Sequence, residues 1–324
     1  MPARAPAYRL TSAVVADHIG AGVMCLAAQG LGRRYDLHRR RPDARINRRP
    51  YRAAVGGVEW RADLPSGAAH VIAPVETAAP LIRVDIVGAL EQRAGYYDPC
   101  GGWSDGHDAI ADRLAAAFEE GDVLLVVDSP GGAAAEIPAN VRRALAAKTK
   151  HGRRCTGVGK PMIGSAATWW AMALCDEIFG EVDSKFGSVG ARCEHMDVSG
   201  MMAKEGLKKT YFADPVDKVA LAPEFPLSPV GAMRGNRDVK IAADAFRAAV
   251  CASPIGQRYG LTPEFLIELG ADMLTGEEAH AAGLMDGVAP IEDVTDYALK
   301  LASESAATRE QVRARAQAPR RATR

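Results

Sequence analysis

The sequence predicts an α/β protein of stacked βαβ units around a mostly parallel sheet, and three observations support this. Strand-like and helix-like segments alternate through the middle of the chain. Residues 122–129, DVLLVVDS, form a near-continuous apolar run, which is typical of a strand buried on both faces. The composition, with 48% hydrophobic and 25% charged residues, is that of a globular protein with a sizeable core.

The predicted elements follow one another in the order that such a fold requires. PLIRVDIVGAL predicts a strand, and SDGHDAIADRLAAAFEEG predicts a helix with Ser104 as its N-cap and Gly121 as its stop. The apolar strand DVLLVVDS leads into a helix over about 136–150, where Pro138 is tolerated in the first turn. RRCTGVG predicts a short strand, after which Ser165 begins another helix. The remaining predicted elements are a strand, KKTYFA, and helices over 229–252 and 262–270.

The chain divides into three predicted parts: an N-terminal appendage over 1–79, an α/β domain over 80–299, and a basic tail over 300–324. The tail has seven basic residues against two acidic ones and too little apolar content to fold alone, so we expect it to be disordered. Within the appendage, residues 33–52 carry nine Arg against two Asp. This Arg-rich stretch indicates either a solvated segment or an arm that docks on an acidic partner.

Several classes of protein are not expected from this sequence. The formal net charge is zero, so no nucleic-acid partner is predicted. No apolar run is long enough to span a bilayer and no secretory signal is visible, so we expect a cytoplasmic protein without a membrane anchor. The six cysteines form no CxxC pair. Neither a zinc site nor any other metal or cofactor is therefore predicted.

Two short stretches could together perform nucleophilic chemistry. Ser165 lies between Gly164 and Ala166, where small neighbours allow close approach and the start of a helix favours developing negative charge. The pair Gly131–Gly132 follows the apolar strand and can turn sharply, offering a backbone N–H with no side chain in the way. Alone, the first pattern is most often an N-cap and the second a simple turn.

The surrounding motifs, in their order, resemble a known family. DSPGG is followed by GSAATWWAMALCDEIFG, then by FGSVGARCEHMDVSGMMAKEGLKKTYFADPVDK and TGEEAHAAGLMDGV. This pattern, over about residues 82–290, resembles the signal peptide peptidase A-like serine endopeptidases, the Ser-Lys branch of the ClpP/crotonase superfamily. It is most similar to the soluble phage and prophage branch, which includes the head-maturation proteases of lambda-type phages.

The resemblance implies a ClpP/crotonase-like Ser-Lys peptidase domain with an assigned role for each matching residue. Ser165 corresponds to the nucleophile and Lys218 to the general base, while Ser188 corresponds to the serine that hydrogen-bonds this lysine. The oxyanion hole corresponds to the backbone at Gly131–Gly132 and at Ala166. The lysine motif departs from the family, because Pro215, Val216 and Asp217 precede Lys218 where Gly and His are common.

The resemblance also implies partners. We expect a protein or peptide substrate, a homo-oligomeric ring, and a role in processing phage or prophage capsid, scaffold or portal proteins. The pair Trp169–Trp170 is interpreted as core or subunit packing, with a lining of the substrate groove as the alternative.

Three other interpretations remain open. His195 could replace Lys218 as the base, in the manner of the Ser-His-Asp members of the superfamily. A crotonase-like acyl-CoA enzyme would share the fold but would work through carboxylates, and none is paired with the Ser165 loop in the sequence. A catalytically degenerate relative could serve as a structural or assembly component of a phage particle. The other histidines considered, His107, His151 and His280, are interpreted as surface residues.

Overall fold

The computed structural model describes residues 58–61, 69–74, 81–93 and 104–317, which fall into two compact units. The sheet unit comprises the described residues up to Gly190 and those from Ala243 onward. The insert unit is the stretch between them, Ala191–Ala242. The predicted domain over 80–299 therefore contains two units, and each is described by itself below.

A mixed sheet of ten strands among the described residues forms the centre of the sheet unit. The strands are β1 (Val58–Arg61), β2 (Ala69–Pro74), β3 (Leu81–Glu91), β4 (Asp105–Gly106), β5 (Asp122–Gly132), β6 (Cys155–Gly164), β7 (Glu177–Gly180), β8 (Lys185–Gly187), β9 (Met273–Thr275) and β10 (Gly287–Val288). Their order is β1-β2-β3-β5-β6-β7-β10; in addition, β4 pairs with β3, and β8 pairs with both β6 and β9.

Parallel pairing dominates the sheet. The pairs β3–β5, β5–β6, β6–β7, β6–β8, β3–β4 and β7–β10 are parallel, whereas β1–β2, β2–β3 and β8–β9 are antiparallel. Parallel neighbours need crossover connections, and helices supply them between β3, β5, β6 and β7. The predicted α/β class with a mostly parallel sheet is confirmed.

The helices among the described residues are α1 (His107–Glu120), α2 (Ile137–His151), α3 (Ala166–Leu174), α4 (Ser199–Lys204), α5 (Pro229–Ala252), α6 (Pro254–Tyr259), α7 (Pro263–Glu268), α8 (Gly276–Ala281) and α9 (Ile291–Gln317). Of these, α1, α2, α3, α5 and α7 lie close to where the sequence predicts helices, whereas α4, α6, α8 and α9 were not predicted. Gly121 ends α1 as predicted, and its N–H donates to the Ala117 carbonyl. Ser104 is not the N-cap, because α1 begins at His107 with Gly106 as its cap.

Strand β5 is buried on both faces, as its continuous apolar run predicts. Val123, Leu125 and Val127 belong to the large core cluster, which includes residues of α1, α2 and α3. Leu124 and Val126 point to the other face and pack in a second cluster with residues of α9. Since side chains alternate between the faces of a strand, helices on both sides require an apolar residue at every position.

Both tryptophans of α3 are part of the core. Trp170 is fully buried, and Trp169, 4% exposed, stacks on Phe246 with ring centroids 4.9 Å apart and an interplanar angle of 4°. The interpretation of this pair as core packing is confirmed. Because α3 begins directly after Ser165, its N-cap, this packing anchors the turn that presents the serine.

Two predictions about secondary structure are wrong. KKTYFA forms no strand; in the insert unit, Lys209 and Tyr211 instead bond the carboxylate of Glu224 from irregular chain. The tail is not disordered from residue 300, because α9 continues to Gln317. Small side chains such as Ala302 pack in the second core cluster, and Arg309 donates to the Gly152 carbonyl at 3.0 Å.

The predicted appendage contributes to the sheet. Strands β1 and β2, from within residues 1–79, pair with each other and extend the sheet beyond β3. The Arg-rich stretch over 33–52 lies outside the described residues. Among the described helices, none combines the length and the apolar character needed to cross a bilayer.

Replacing the stacked tryptophan should destabilise the sheet unit. Trp169→Ala removes a large buried side chain from the core and should lower the free energy of unfolding by about 3–5 kcal/mol. Urea denaturation measures this as a lower midpoint at unchanged slope. The control is Phe212→Ala, at a side chain 97% exposed, for which we expect a change within about 0.5 kcal/mol. Equal effects of the two substitutions would contradict the packing described.

Candidate functional site

Ser165 occupies a sharp, strained turn between strand β6 and helix α3. Its backbone has φ 50° and ψ −119°, a positive φ that residues with a side chain seldom adopt. It holds the N-cap position of α3, yet its hydroxyl makes no capping hydrogen bond. The residue is half-buried, and within its own unit no described group bonds the hydroxyl. A strained serine at a strand-to-helix turn, with no described hydrogen bond to its hydroxyl, is an arrangement that a nucleophile could use.

Strand β8 holds this turn in place. The Ser165 N–H donates to the Gly187 carbonyl at 3.0 Å. The buried Thr168 hydroxyl lies 2.8 Å from the same carbonyl and 3.0 Å from the Ile163 carbonyl. Trp169 N–H donates to the Ser165 carbonyl at 3.0 Å and closes the first turn of α3. These bonds hold the strained backbone in one conformation.

Gly131 lies directly against the Ser165 turn. A Cβ built on it would fall 2.6 Å from the Gly164 carbonyl oxygen, 2.6 Å from the Ser165 Cβ and 2.7 Å from the Ala166 nitrogen. Its φ is +91°, which also favours glycine. The end of β5 therefore reaches the serine turn only because Gly131 has no side chain.

The predicted oxyanion donors differ in their availability. The Gly131 N–H donates to the hydroxyl of Ser129 at 3.1 Å, so it is engaged within the loop. Ala166 is the first residue of α3, and the leading N–H groups of a helix have no acceptor inside the helix. Ala133 N–H donates to the Leu90 carbonyl at 2.7 Å, so the preceding Gly132 N–H should face away from β3. Gly132 and Ala166 are the better candidates, and the assignment of Gly131 as a donor is not supported.

The buried Ser129 shapes this loop, a role that the sequence analysis did not assign. Its hydroxyl donates to the Gly88 carbonyl at 2.6 Å while accepting from Gly131. The ladder between β3 and β5 is irregular between Val87 and Ala89, and that between β5 and β6 between Val127 and Ser129. One hydroxyl therefore joins the two irregular strand ends. The sequence signal that could have pointed to Ser129 is its position in the DSPGG motif.

Ser188 lies beside Ser165, as its predicted role requires. Gly187 and Gly164 are register partners on neighbouring parallel strands, and each serine directly follows one of them. Such strands lie about 4.8 Å apart, so the two serines are neighbours. Ser188 also has a positive φ, 56°, and its N–H donates to the Asp272 carbonyl at 2.8 Å.

Lys218 belongs to the insert unit, so its pairing with Ser165 and Ser188 stays a prediction. It lies in a 3-10 helix, Val216–Val219, and its side chain is exposed. The preceding Asp217 is engaged by Arg234, whose guanidinium donates to the Asp217 carbonyl and lies 3.9 Å from its carboxylate. This pairing gives the acidic neighbour of Lys218 a cationic partner of its own.

His195, the alternative base, also belongs to the insert unit. Its Nε2 lies 3.4 Å from the Ala222 carbonyl oxygen and the residue is half-buried. This contact is local to the insert unit, so it neither supports nor excludes a catalytic role.

His107 is not a surface residue as predicted; it is fully buried beside the candidate site. Trp170 Nε1 donates to its Nδ1 at 3.1 Å, and since an indole nitrogen only donates, Nδ1 must be the unprotonated nitrogen. Its Nε2–H therefore donates to the Ala133 carbonyl at 2.7 Å. Burial lowers the pKa of His107, against raising contributions from the Ala133 bond and nearby carboxylates. The neutral imidazole therefore connects α1, α3 and the loop after β5.

The described residues contain no cluster of three or more His, Cys, Asp or Glu side chains arranged to hold a metal ion. Cys155 and Cys175 are buried with their sulfurs 3.6 Å apart, and burial raises the pKa of the Cys175 thiol well above its usual value. These two thiols are therefore unreactive core residues.

No protein-family model and no curated protein matches the chain. Function must therefore be inferred from the arrangement of these residues together with the motif resemblance. The sheet unit brings together Ser165, Gly131, Gly132, Ala166 and Ser188, and the insert unit carries Lys218 and His195.

A side chain at Gly131 should displace the serine turn. Gly131→Ala places a Cβ within 2.7 Å of three atoms around Ser165, so the turn must move. Since misplacing a reactive group by about 1 Å can cost about 100-fold in rate, we expect labelling of Ser165 by a fluorophosphonate to fall by about that factor. Mass spectrometry of the labelled peptide measures it.

The matched control for this substitution is Gly152→Ala. Gly152 also has a positive φ, +59°, but nothing lies within 4 Å of its Cβ position. Both substitutions bear the cost of a left-handed backbone, and only the first meets the Ser165 turn. Equal labelling of the two variants would show that close packing at Gly131 is irrelevant to the serine.

Proposed function

We propose that this protein is a serine endopeptidase that works through an acyl-enzyme intermediate, with Ser165 as nucleophile and Lys218 as general base. The observation that carries the proposal is the strained Ser165 turn, with its uncapped hydroxyl, packed against the glycine pair at the end of β5. The motif resemblance supplies the assignment of the base. Peptide hydrolysis fits because it requires a nucleophile and donors for an oxyanion.

The proposed reaction proceeds through an acyl-enzyme on Ser165. Ser165 Oγ attacks the carbonyl carbon of a peptide bond while its proton passes to the Lys218 amine. The oxyanion that forms accepts hydrogen bonds from the N–H groups of Gly132 and Ala166, and the positive end of the α3 dipole adds to this stabilisation. The leaving amine takes the proton, and water then hydrolyses the ester on Ser165. Ser188, next to Ser165, is proposed to orient the lysine amine.

A second candidate function keeps the fold without the chemistry. The lysine motif departs from the family, because Pro215, Val216 and Asp217 precede Lys218 where Gly and His are common. This departure favours a catalytically degenerate relative acting as a structural or assembly component of a phage particle. The crotonase-like alternative gains no such support from any single observation.

The proposed setting is the processing of phage or prophage capsid, scaffold or portal proteins by a homo-oligomer in the cytoplasm or an assembling phage head. Only the motif resemblance supports this setting. A protein or peptide is the proposed substrate class, which the motif resemblance implies.

Replacing the nucleophile should abolish chemistry without unfolding the protein. Ser165→Ala should remove fluorophosphonate labelling and lower casein cleavage by several orders of magnitude. Stability should change by less than about 1 kcal/mol, because the hydroxyl makes no capping bond and alanine removes little volume. Ser199→Ala, at an exterior helix of the insert unit, is the matched control and should keep parent activity. Unchanged casein cleavage by the Ser165 variant would refute the proposal.

Replacing the base separates an active enzyme from a degenerate relative. Lys218→Arg should be as inactive as Lys218→Ala, because a guanidinium keeps its proton at any working pH. His195→Ala should retain most activity. The measurement is the rate of Ser165 labelling against pH in these variants and the parent. Parent-like labelling of Lys218→Arg, together with loss of labelling in His195→Ala, would show that Lys218 is not the base. A parent that is never labelled would favour the degenerate relative.

A further inference from the structure

The backbone that follows the glycine pair is held by two buried side chains that the proposed chemistry does not use. Ser129 accepts the Gly131 N–H, and His107 donates to the Ala133 carbonyl. Gly132 lies between these two bonds. Its proposed function as an oxyanion donor therefore depends on how firmly both neighbours are held.

His107 is the more informative of the two because it can titrate. Both of its ring nitrogens are engaged, and the ring is fully buried. Only the neutral imidazole with its proton on Nε2 satisfies both partners, since Trp170 Nε1 is a donor and the Ala133 carbonyl is an acceptor. A second proton would have to sit on Nδ1, where it would face the Trp170 N–H.

We propose that His107 is a positioning residue for the Gly131–Ala133 loop and makes the Ser165 site sensitive to acid. The proposal rests on the proposed function, whose oxyanion donor it positions. When His107 gains a proton, the donor–donor conflict with Trp170 turns the ring away, and the Ala133 carbonyl loses its hydrogen bond. Gly132 then moves from the position in which its N–H can meet the oxyanion.

The groups around His107 set its pKa and therefore the pH range in which it gains a proton. Asp105, Asp108 and Glu136 favour the charged ring, but burial outweighs them and lowers the pKa of His107 below its ordinary 6.5. The Asp105 carboxylate is itself paired with the Arg113 guanidinium, which weakens its pull on the imidazole. Since the unfolded chain takes up the proton at higher pH, the His107 contribution to stability is complete above about 6.5 and declines as pH falls below it.

The decisive substitution is His107→Gln. A carboxamide offers one acceptor and a donor, as the neutral ring does, and it does not titrate. The glutamine variant should label with a fluorophosphonate at a rate within about threefold of the parent at pH 8. The ratio of the two rates, parent to variant, should be constant above about pH 6.5 and fall by up to tenfold per pH unit below the pKa of His107.

Taking the ratio removes the titration of the base, because both proteins share Lys218 and His195. The matched control is His280→Gln, at an exposed histidine whose Nδ1 lies 3.1 Å from the Met285 carbonyl oxygen; its ratio to the parent should stay constant. A second variant, Trp170→Phe, removes the opposing N–H, so its labelling should lose the additional acid decline. Circular dichroism at each pH restricts the comparison to folded protein.

The outcomes separate this inference from the proposed function. A labelled parent whose parent-to-Gln ratio stays constant over the whole pH range in which circular dichroism shows folded protein would overturn the role of His107 and leave the nucleophile assignment intact. An acid decline that disappears in His195→Ala instead would also overturn it. A parent that no fluorophosphonate labels at any pH would overturn the proposed function and, with it, this inference. A parent-to-Gln ratio that declines at low pH, together with a constant ratio of Trp170→Phe to His107→Gln, supports it.

Discussion

The close backbone contact between Gly131 and the Gly164–Ala166 turn is the constraint on which the candidate site depends. Parallel strands β5 and β6 pair as far as Ser129 and Ile163, with an irregular register after Val127, and the ends of both strands lie beside the Ser165 turn. This contact requires a glycine at position 131, because a Cβ there would lie 2.6 Å from the Gly164 carbonyl oxygen. The end of β5 therefore lies against the strained Ser165 turn, and the core under Trp169 and Trp170 prevents the turn from relaxing.

Much of the sheet unit could be predicted from the sequence because its signals are local. The continuous apolar run of β5, the stop at Gly121 and the start of α3 at Ser165 each follow from short patterns. Predictions from the sequence were wrong where tertiary contacts determine the secondary structure. KKTYFA has strand-like residues but gains no partner strand, and the tail after residue 300 becomes helical because α9 packs on the sheet.

Some residues of the candidate site could likewise be found from local sequence patterns, and others could not. The glycine pair and Ser165 could be found from their small-residue motifs, and the resemblance suggested Ser188. His107 could not be found, because its partners lie 26 and 63 residues away, at Ala133 and Trp170. A lone histidine at a helix start gives no sign of burial, and its interpretation as a surface residue was the ordinary one. Only the folded sheet shows that it bonds the residue after the glycine pair.

Lys218 limits how the proposed enzyme can work. A lysine accepts a proton only in its neutral form, which desolvation or a cationic neighbour favours. Within the insert unit, Arg234 already engages Asp217, the acidic neighbour of Lys218. If a bound peptide supplies the desolvation, activity depends on substrate length, because a short ester cannot cover the amine. If a second copy of the chain supplies it, activity depends on protein concentration, because dilution uncovers the amine.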